Sequence, residues 1–227
     1  MSTTKIVIPT ITAYSLNQVI EEAQKYLNYF DTIHFDVIDL SYGNPTYFDE
    51  VEVITALSKY KNIVMHLMVQ NPSMFLVNKK EILLKNNITF ILPNKKVGIS
   101  NILALQKLGF NIGLSYELGE KPTINTEIIS TLKEIMFLPI IPGKTGQTPQ
   151  LSFLSTMESF INEYKIDMYS NITISIDGGF NRLNAHDYLL TNASVIYANS
   201  FFKKTSLQQT IEELRNLNAY INNNLTL

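Results

Sequence analysis

Short apolar runs rich in β-branched residues alternate along the whole chain with stretches of helical periodicity. The strand-like runs are Lys5–Ile11, Thr32–Asp39, Asn62–Val69, Ile88–Leu92, Asn111–Tyr116, Ile135–Ile141, Ile172–Asp177 and Ser194–Asn199. Between them apolar residues recur at helical spacing, as with Leu16, Val19, Ile20 and Ala23 early on and Leu151, Leu154, Phe160 and Ile161 later. Strand then helix, repeated without a Gly/Pro/Ser-rich linker, implies parallel strands joined by crossovers. Eight such units over the 227 residues predict one domain, residues 1–227, folded as a (β/α)8 TIM barrel. A doubly wound open sheet is the competitor, because both folds use near-continuous apolar strands. Closure is the more usual outcome for eight parallel strands at this length.

Composition narrows the partners. A hydrophobic content of 45% is ample for a buried core, and a formal net charge of −2 leaves no basic surplus. With no run of Lys or Arg, neither nucleic acid nor a membrane surface is expected as a partner, which leaves a small molecule. No Cys is present, so disulfides, thiolate metal ligands and thiol nucleophiles are excluded, in keeping with a reducing compartment. Ile6-Val7-Ile8-Pro9 is too short for a signal peptide and no later segment reaches spanning length, so the expected location is cytoplasmic. The helical faces look ordinary, which leaves assembly into a homo-oligomer open.

The candidate chemistry sits on the strands. His34 and Asp36 are two apart in Ile33-His34-Phe35-Asp36-Val37-Ile38-Asp39, so on a strand both point to one face. His66 lies in the third run and Asp177 ends the seventh. A polar group on a strand built for burial costs free energy unless it is satisfied, and one divalent cation would satisfy all four. A lone His in an apolar strand is more often a hydrogen-bonded core residue. Here His34, Asp36 and Asp177 fall toward the strand ends where barrel active sites are built, and that reverses the expectation for His66. Asp39 is off the His34/Asp36 face by strand parity and reads as a loop or capping carboxylate. His186, in the helical Leu183–Leu190 run, reads as a surface residue.

The same barrel end offers places for an anion: Asp177-Gly178-Gly179 after the seventh strand and Ala198-Asn199-Ser200 after the eighth. Glycines there let backbone N–H groups approach phosphate oxygens. Pro142-Gly143-Lys144-Thr145-Gly146-Gln147 follows the sixth strand and could fold over a ligand, with Lys144 adding a positive charge. Lys203-Lys204 could reach a phosphate, although a solvated helix start is the ordinary reading.

At these residues the chain resembles the ribulose-phosphate 3-epimerase family of pentulose- and hexulose-phosphate epimerases. The likeness rests on Pro9-Thr10-Ile11, His34 to Asp39, His66-Leu67-Met68-Val69 with Asn71-Pro72, Pro142-Gly143 with Gly146-Gln147, Asp177-Gly178-Gly179-Phe180-Asn181, and Ala198-Asn199-Ser200. It implies that His34, Asp36, His66 and Asp177 bind one divalent metal ion (Zn2+, Fe2+, Mn2+ or Co2+), and that Asp36 and Asp177 are the acid/base pair. It further implies that Thr10 lies near the substrate, a sugar phosphate, and that Gly143, Gly146, Gly178, Gly179, Asn199 and Ser200 belong to the loops that hold it. Inversion beside a ketone removes a proton on one face and returns one on the other, which calls for two such carboxylates. The cation would stabilise the intervening enediolate charge.

The departures cluster around the substrate. Leu40-Ser41-Tyr42-Gly43-Asn44-Pro45 replaces a Gly-led aromatic-Val-Pro-Asn stretch. Lys144-Thr145 replaces Phe-Gly, Ile38 and Leu138 replace Met beside the retained Met68, Asn199 replaces Gly, and Ser115-Tyr116-Glu117-Leu118 replaces a segment containing Asn-Pro. The leading expectation is 3-epimerisation of D-ribulose 5-phosphate to D-xylulose 5-phosphate. The alternatives are an allulose-6-phosphate 3-epimerase and a non-catalytic sugar-phosphate-binding or interaction barrel. The decarboxylase-like barrels use Asp-x-Lys-x-x-Asp, and no Lys follows Asp36 at that interval.

Overall fold

The computed structural model describes residues 5–144 and 146–224, with side chains through Leu217; Met1 to Thr4 and Thr145 lie outside the described residues. The strands β1 (Ile6–Ile11), β2 (Thr32–Ile38), β3 (Asn62–Met68), β4 (Ile88–Pro93), β5 (Asn111–Glu117), β6 (Glu134–Leu138), β7 (Thr173–Asp177) and β8 (Val195–Ala198) run parallel in chain order. β8 pairs back onto β1, which closes the barrel and rules out the open sheet. Around it lie α1 (Leu16–Leu27), α2 (Glu50–Leu57), α3 (Pro72–Asn78), α4 (Lys80–Leu83), α5 (Ile99–Lys107), α6 (Thr126–Ile129), α7 (Ser152–Tyr164), α8 (Ala185–Leu189) and α9 (Leu207–Asn224).

Local signals set these elements. Ser15 caps α1, accepting from the Gln18 N–H, and Val19, Ala23 and Tyr26 bury one stripe of that helix against the strands. Asp49 caps α2 through the N–H groups of Val51 and Glu52, and α3 opens with Asn71 as cap and Pro72 in its first turn. β6 stops at Leu138, short of the expected Ile141, because Pro139 has no N–H to offer the ladder, and it begins one residue earlier than expected, at Glu134. Among the described residues no helix is long and apolar enough to cross a membrane.

Strand side chains divide between two cores. Outward residues such as Phe35, Met65, Phe90, Leu114, Phe137 and Ile176 join the helices in a large buried cluster. Inward residues Ile8, Val64, Ile91, Met136, Leu138 and Tyr197 form a smaller cluster inside the barrel. Register then stations the polar side chains above this plug. Thr10 is the ladder partner of His34, Asp36 of His66, and Asp177 of Tyr197. Because partners across a parallel pair share a face, the two-residue spacing on β2 and the β2/β3 register bring His34, Asp36 and His66 to the inner wall together.

Candidate functional site

Near the C-terminal ends of β2, β3 and β7, one nitrogen or oxygen from each of His34, Asp36, His66 and Asp177 lies within 4.8 Å of the others. His66 Nδ1 stands 3.8 Å from Asp36 Oδ1 and 3.5 Å from Asp177 Oδ2, and His34 Nδ1 is 4.0 Å from Asp36 Oδ1. Both imidazoles are fully buried, and the carboxylates are 7–8% exposed.

Hydroxyls hold the far side of both imidazoles and of Asp36. Thr10 Oγ1 is 3.0 Å from His34 Nδ1, Ser115 Oγ is 3.2 Å from His66 Nε2, and Thr12 Oγ1 donates to Asp36 Oδ2 at 2.7 Å. Asn199 Nδ2 in turn donates to Thr12 Oγ1 at 2.9 Å. The remaining atoms His34 Nε2, Asp36 Oδ1 and His66 Nδ1 are buried with no hydrogen-bond partner. Orphaned polar atoms in a protein interior are costly, and three from one quartet are those a cation would satisfy. The donor set fits a divalent metal: two imidazoles and two carboxylates, with both imidazoles and Asp36 held by hydroxyls, the arrangement that orients metal ligands.

The electrostatics agree. Burial pushes His34 down to about 4, so its ring is neutral near pH 7 and able to offer a lone pair. Burial and then the charge of Asp177 push Asp36 up to about 7. Burial acts to lower His66, but the adjacent Asp177 and Asp36 outweigh it and its pKa moves up. Without a cation, then, burial and the neighbouring charge favour a proton on Asp36 that a metal ion would displace.

Asp36 and Asp177 form part of the wall of a cavity of about 620 Å³, the size of a small-molecule site. Thr10, Gly143, Gly146, Gly178, Gly179, Asn199 and Ser200 all line it. The structure therefore gathers the candidate metal-ligand, acid/base and loop residues around one space, with the imidazoles buried and the others at its surface. Gly178 and Gly179 adopt φ of 91° and 77°, and a Cβ on Gly178 would lie 2.2 Å from Ile140 Cδ1. Only glycine permits that bend, which follows Asp177 directly. Lys144, Arg182 and Lys204 also reach this wall. Arg182 is committed to Glu213 at 2.6 Å, and Lys203 turns away to Glu22 at 2.9 Å. No ion pair engages Lys144 or Lys204 among the described residues.

The opposite side of the mouth is shut. Tyr42, in the loop after β2, donates its hydroxyl to Glu117 Oε1 at 2.9 Å, and Lys95 pairs with the other oxygen of that buried carboxylate. Lys96 lies over the Tyr42 ring at 4.4 Å. Asp39 accepts from Ser41 and from the Gln70 N–H at 2.7 Å, the loop role its parity suggested, and His186 is exposed on α8.

The model of the ribulose-phosphate 3 epimerase family matches residues 6–202. The chain belongs to that family. No curated protein matches it in sequence. Among solved structures this epimerase-family barrel resembles KGPDC from Streptococcus mutans (TM-score 0.69, 13% identity, covering 96% of this chain and 99% of that one). It also resembles a 3-hexulose-6-phosphate synthase (0.64, 14%, 93% and 99%). A third is 3-keto-L-gulonate-6-phosphate decarboxylase from Vibrio cholerae O1 biovar El Tor (0.61, 12%, 96% and 99%). At such identities these likenesses establish the barrel and nothing finer.

Sequence reasoning passed over several residues of this family member's site. Thr12 follows Thr10 at the spacing by which Asp36 follows His34, and that parallel was its available signal. Ser115 stood out only as a departure from the family pattern. The Lys203-Lys204 pair reads as able to reach a phosphate on charge alone, with a solvated helix start as the ordinary reading, and of the two it is Lys204 that lines the cavity.

Proposed function

We propose that the protein is a metal-dependent 3-epimerase of a ketose phosphate, converting D-ribulose 5-phosphate to D-xylulose 5-phosphate. The observation that carries this reading is the placement of Asp36 and Asp177. Two carboxylates from separate strands line one cavity, both within 4 Å of His66 Nδ1. Inverting a carbon next to a ketone requires one group to take the C3 proton and a second to supply one to the other face, and these are the two carboxylates in reach of the cavity. His34, Asp36, His66 and Asp177 would hold the divalent cation, Zn2+, Fe2+, Mn2+ or Co2+, whose Lewis acidity would stabilise the oxygen charge that grows as the proton leaves.

The remaining residues position. Thr12 holds Asp36 Oδ2 and so sets the orientation of the carboxylate, whose Oδ1 is left for the cation, and Asn199 steadies Thr12. Backbone N–H groups of Gly146, Gly179 and Ser200 take the phosphate, with Gly143 and Gly178, whose N–H donates to the Tyr197 carbonyl, shaping the loops beside it and Lys144 and Lys204 adding charge. Binding energy from that remote dianion holds C3 in register for both transfers. The absence of a Lys two residues after Asp36, where this chain has Ile38, separates it from barrels that use Asp-x-Lys-x-x-Asp.

Metal-loaded protein incubated with ribulose 5-phosphate in heavy water should place deuterium at C3. Binding of the sugar without exchange would instead support a non-catalytic barrel. Faster turnover of allulose 6-phosphate would move the assignment to a hexulose phosphate, a reading favoured by the altered loops after β2 and β5.

A further inference from the structure

Deep inside the barrel sits a second carboxyl group that the proposed chemistry does not use. Glu134, at the start of β6, is 4% exposed and faces the barrel interior. Ser175 Oγ donates to its Oε1 at 2.5 Å, and the phenol of Tyr197 lies within electrostatic reach of the same carboxyl group. Space is kept for it: a Cβ on Gly113 of the neighbouring strand would lie 3.1 Å from Glu134 Cβ and 2.7 Å from its carbonyl oxygen. Burying a carboxyl is costly even when it is satisfied, and an apolar side chain would fill this volume more cheaply. Stability therefore does not account for it.

The partner of Glu134 supplies an account. The ring of Tyr197 lies flat against His34, centroids 4.2 Å apart and planes 20° from parallel. His34 is thus fixed twice, at its edge by Thr10 and across its face by Tyr197. His66 has Ser115 at its edge but, among the described residues, no aromatic ring stacked on its face. We propose that Glu134 and Tyr197 are positioning residues, a brace in which the carboxyl tethers the phenol and the phenol sets the tilt of His34 toward the cation. This rests on the metal-binding part of the function proposed above. A metal-binding imidazole must aim one nitrogen at the ion, so freedom about its Cβ–Cγ bond weakens the site without touching any ligand.

The test is a Co2+ titration of the metal-stripped, full-length protein, read by the visible d–d spectrum, with thermal melts to confirm folding. Tyr197→Leu removes the stacking face and should weaken Co2+ binding by roughly tenfold or more, with an altered spectrum. Tyr197→Phe keeps the face and loses the tether, so a smaller loss is expected. Glu134→Met should match Tyr197→Phe, Glu134→Gln should restore near-native affinity because its amide oxygen still accepts from the phenol, and the Glu134→Met/Tyr197→Phe double variant should be no worse than Tyr197→Phe alone. Additive losses in the double variant, or native Co2+ affinity and spectrum in Tyr197→Leu, would overturn the brace. Native protein that takes up no Co2+ would overturn the metal reading and the brace together. Absent C3 exchange alongside the expected Co2+ series would sink the epimerase reading and leave the brace standing.

Discussion

The two sides of the barrel mouth are built from different materials. Between Val69 and Phe137, among the described residues, nothing lines the cavity, and the loops there are bound to one another by side chains: Tyr42 and Lys95 on Glu117, Lys96 on Tyr42 and on the Val69 carbonyl. From β6 through β8 the wall includes Gly143, Gly146, Gly178 and Gly179, all at positive φ, and Lys144 and Lys204, which no ion pair engages among the described residues. A side-chain network satisfies its own polar groups and needs no ligand. Glycine loops and lysines without an ion-pair partner among the described residues suit an anion instead. One barrel end thus divides into a half closed by its own side chains and a half that, on the proposed function, takes the anion.

The division is tested hardest on the open side. Asp177→Asn keeps the shape and a possible metal contact but cannot exchange a proton as a carboxylate does, so C3 deuterium uptake should fall by on the order of a thousandfold or more. Retention of substantial exchange in that variant would remove Asp177 from the acid/base pair.

Stripping the metal should act next. In the metal-free protein Asp36 is pushed up to about 7, above the ordinary carboxylate range, so the folded chain holds that proton more tightly than the unfolded chain does. The stability this group contributes is present at acid pH and is lost as pH rises through about 7. A cation favours the ionised form and reverses the trend. Chelation should therefore lower the melting temperature more at pH 7.5 than at pH 5.5, with a cation at a hundred times its Kd contributing about 2.7 kcal/mol. A gap between loaded and stripped protein that stays constant across this range would count against Asp36 as a ligand.

How much of this was legible beforehand follows from the range of each interaction. The eight strands were readable because a β-branched apolar run carries its own signal, and strand parity put His34 and Asp36 on one face. The ladder register that sets Asp36 beside His66 is a tertiary fact, inferred in the sequence only through chemistry. Thr10 could be placed near a substrate by resemblance, yet its bond to His34 depends on the β1/β2 register. Glu134 escaped because Lys133-Glu134 reads as a polar loop, and its value rests on Ser175, 41 residues away. The shut half was illegible for the same reason: Tyr42 and Glu117 are 75 positions apart, and neither belongs to a local pattern.

Charge on the open side gives a smaller effect. Lys204 reaches the cavity wall from beyond the Ser200–Lys203 turn and, among the described residues, has no carboxylate to answer it, unlike Arg182 and Lys203. Lys204→Met should raise KM for a ketose phosphate roughly five- to tenfold and leave kcat alone, because a contact to the remote phosphate is equally present in ground and transition states. An unphosphorylated ketose should respond equally to native protein and variant. A fall in kcat with KM unchanged would place Lys204 nearer the reacting carbon than the comparison allows.

The smallest effect belongs to the shut half, and it probes the seam where the two meet. A Cβ on Gly143 would lie 2.5 Å from the Tyr42 carbonyl oxygen, so the loop after β2 rests backbone to backbone on the loop after β6. Tyr42→Phe deletes one donor to the buried Glu117 carboxylate while Lys95 still answers its other oxygen. The loss should be about 1 kcal/mol of stability, seen as a lower melting temperature, since a buried acceptor is left short of one partner. Turnover should change by less than about twofold, because the backbone contact with Gly143 does not depend on the phenol and the catalytic wall is the other one. If Tyr42→Phe instead shifts the preference between pentulose and hexulose phosphates, the roof shapes the sugar pocket through Gly143, and the two halves act as one site.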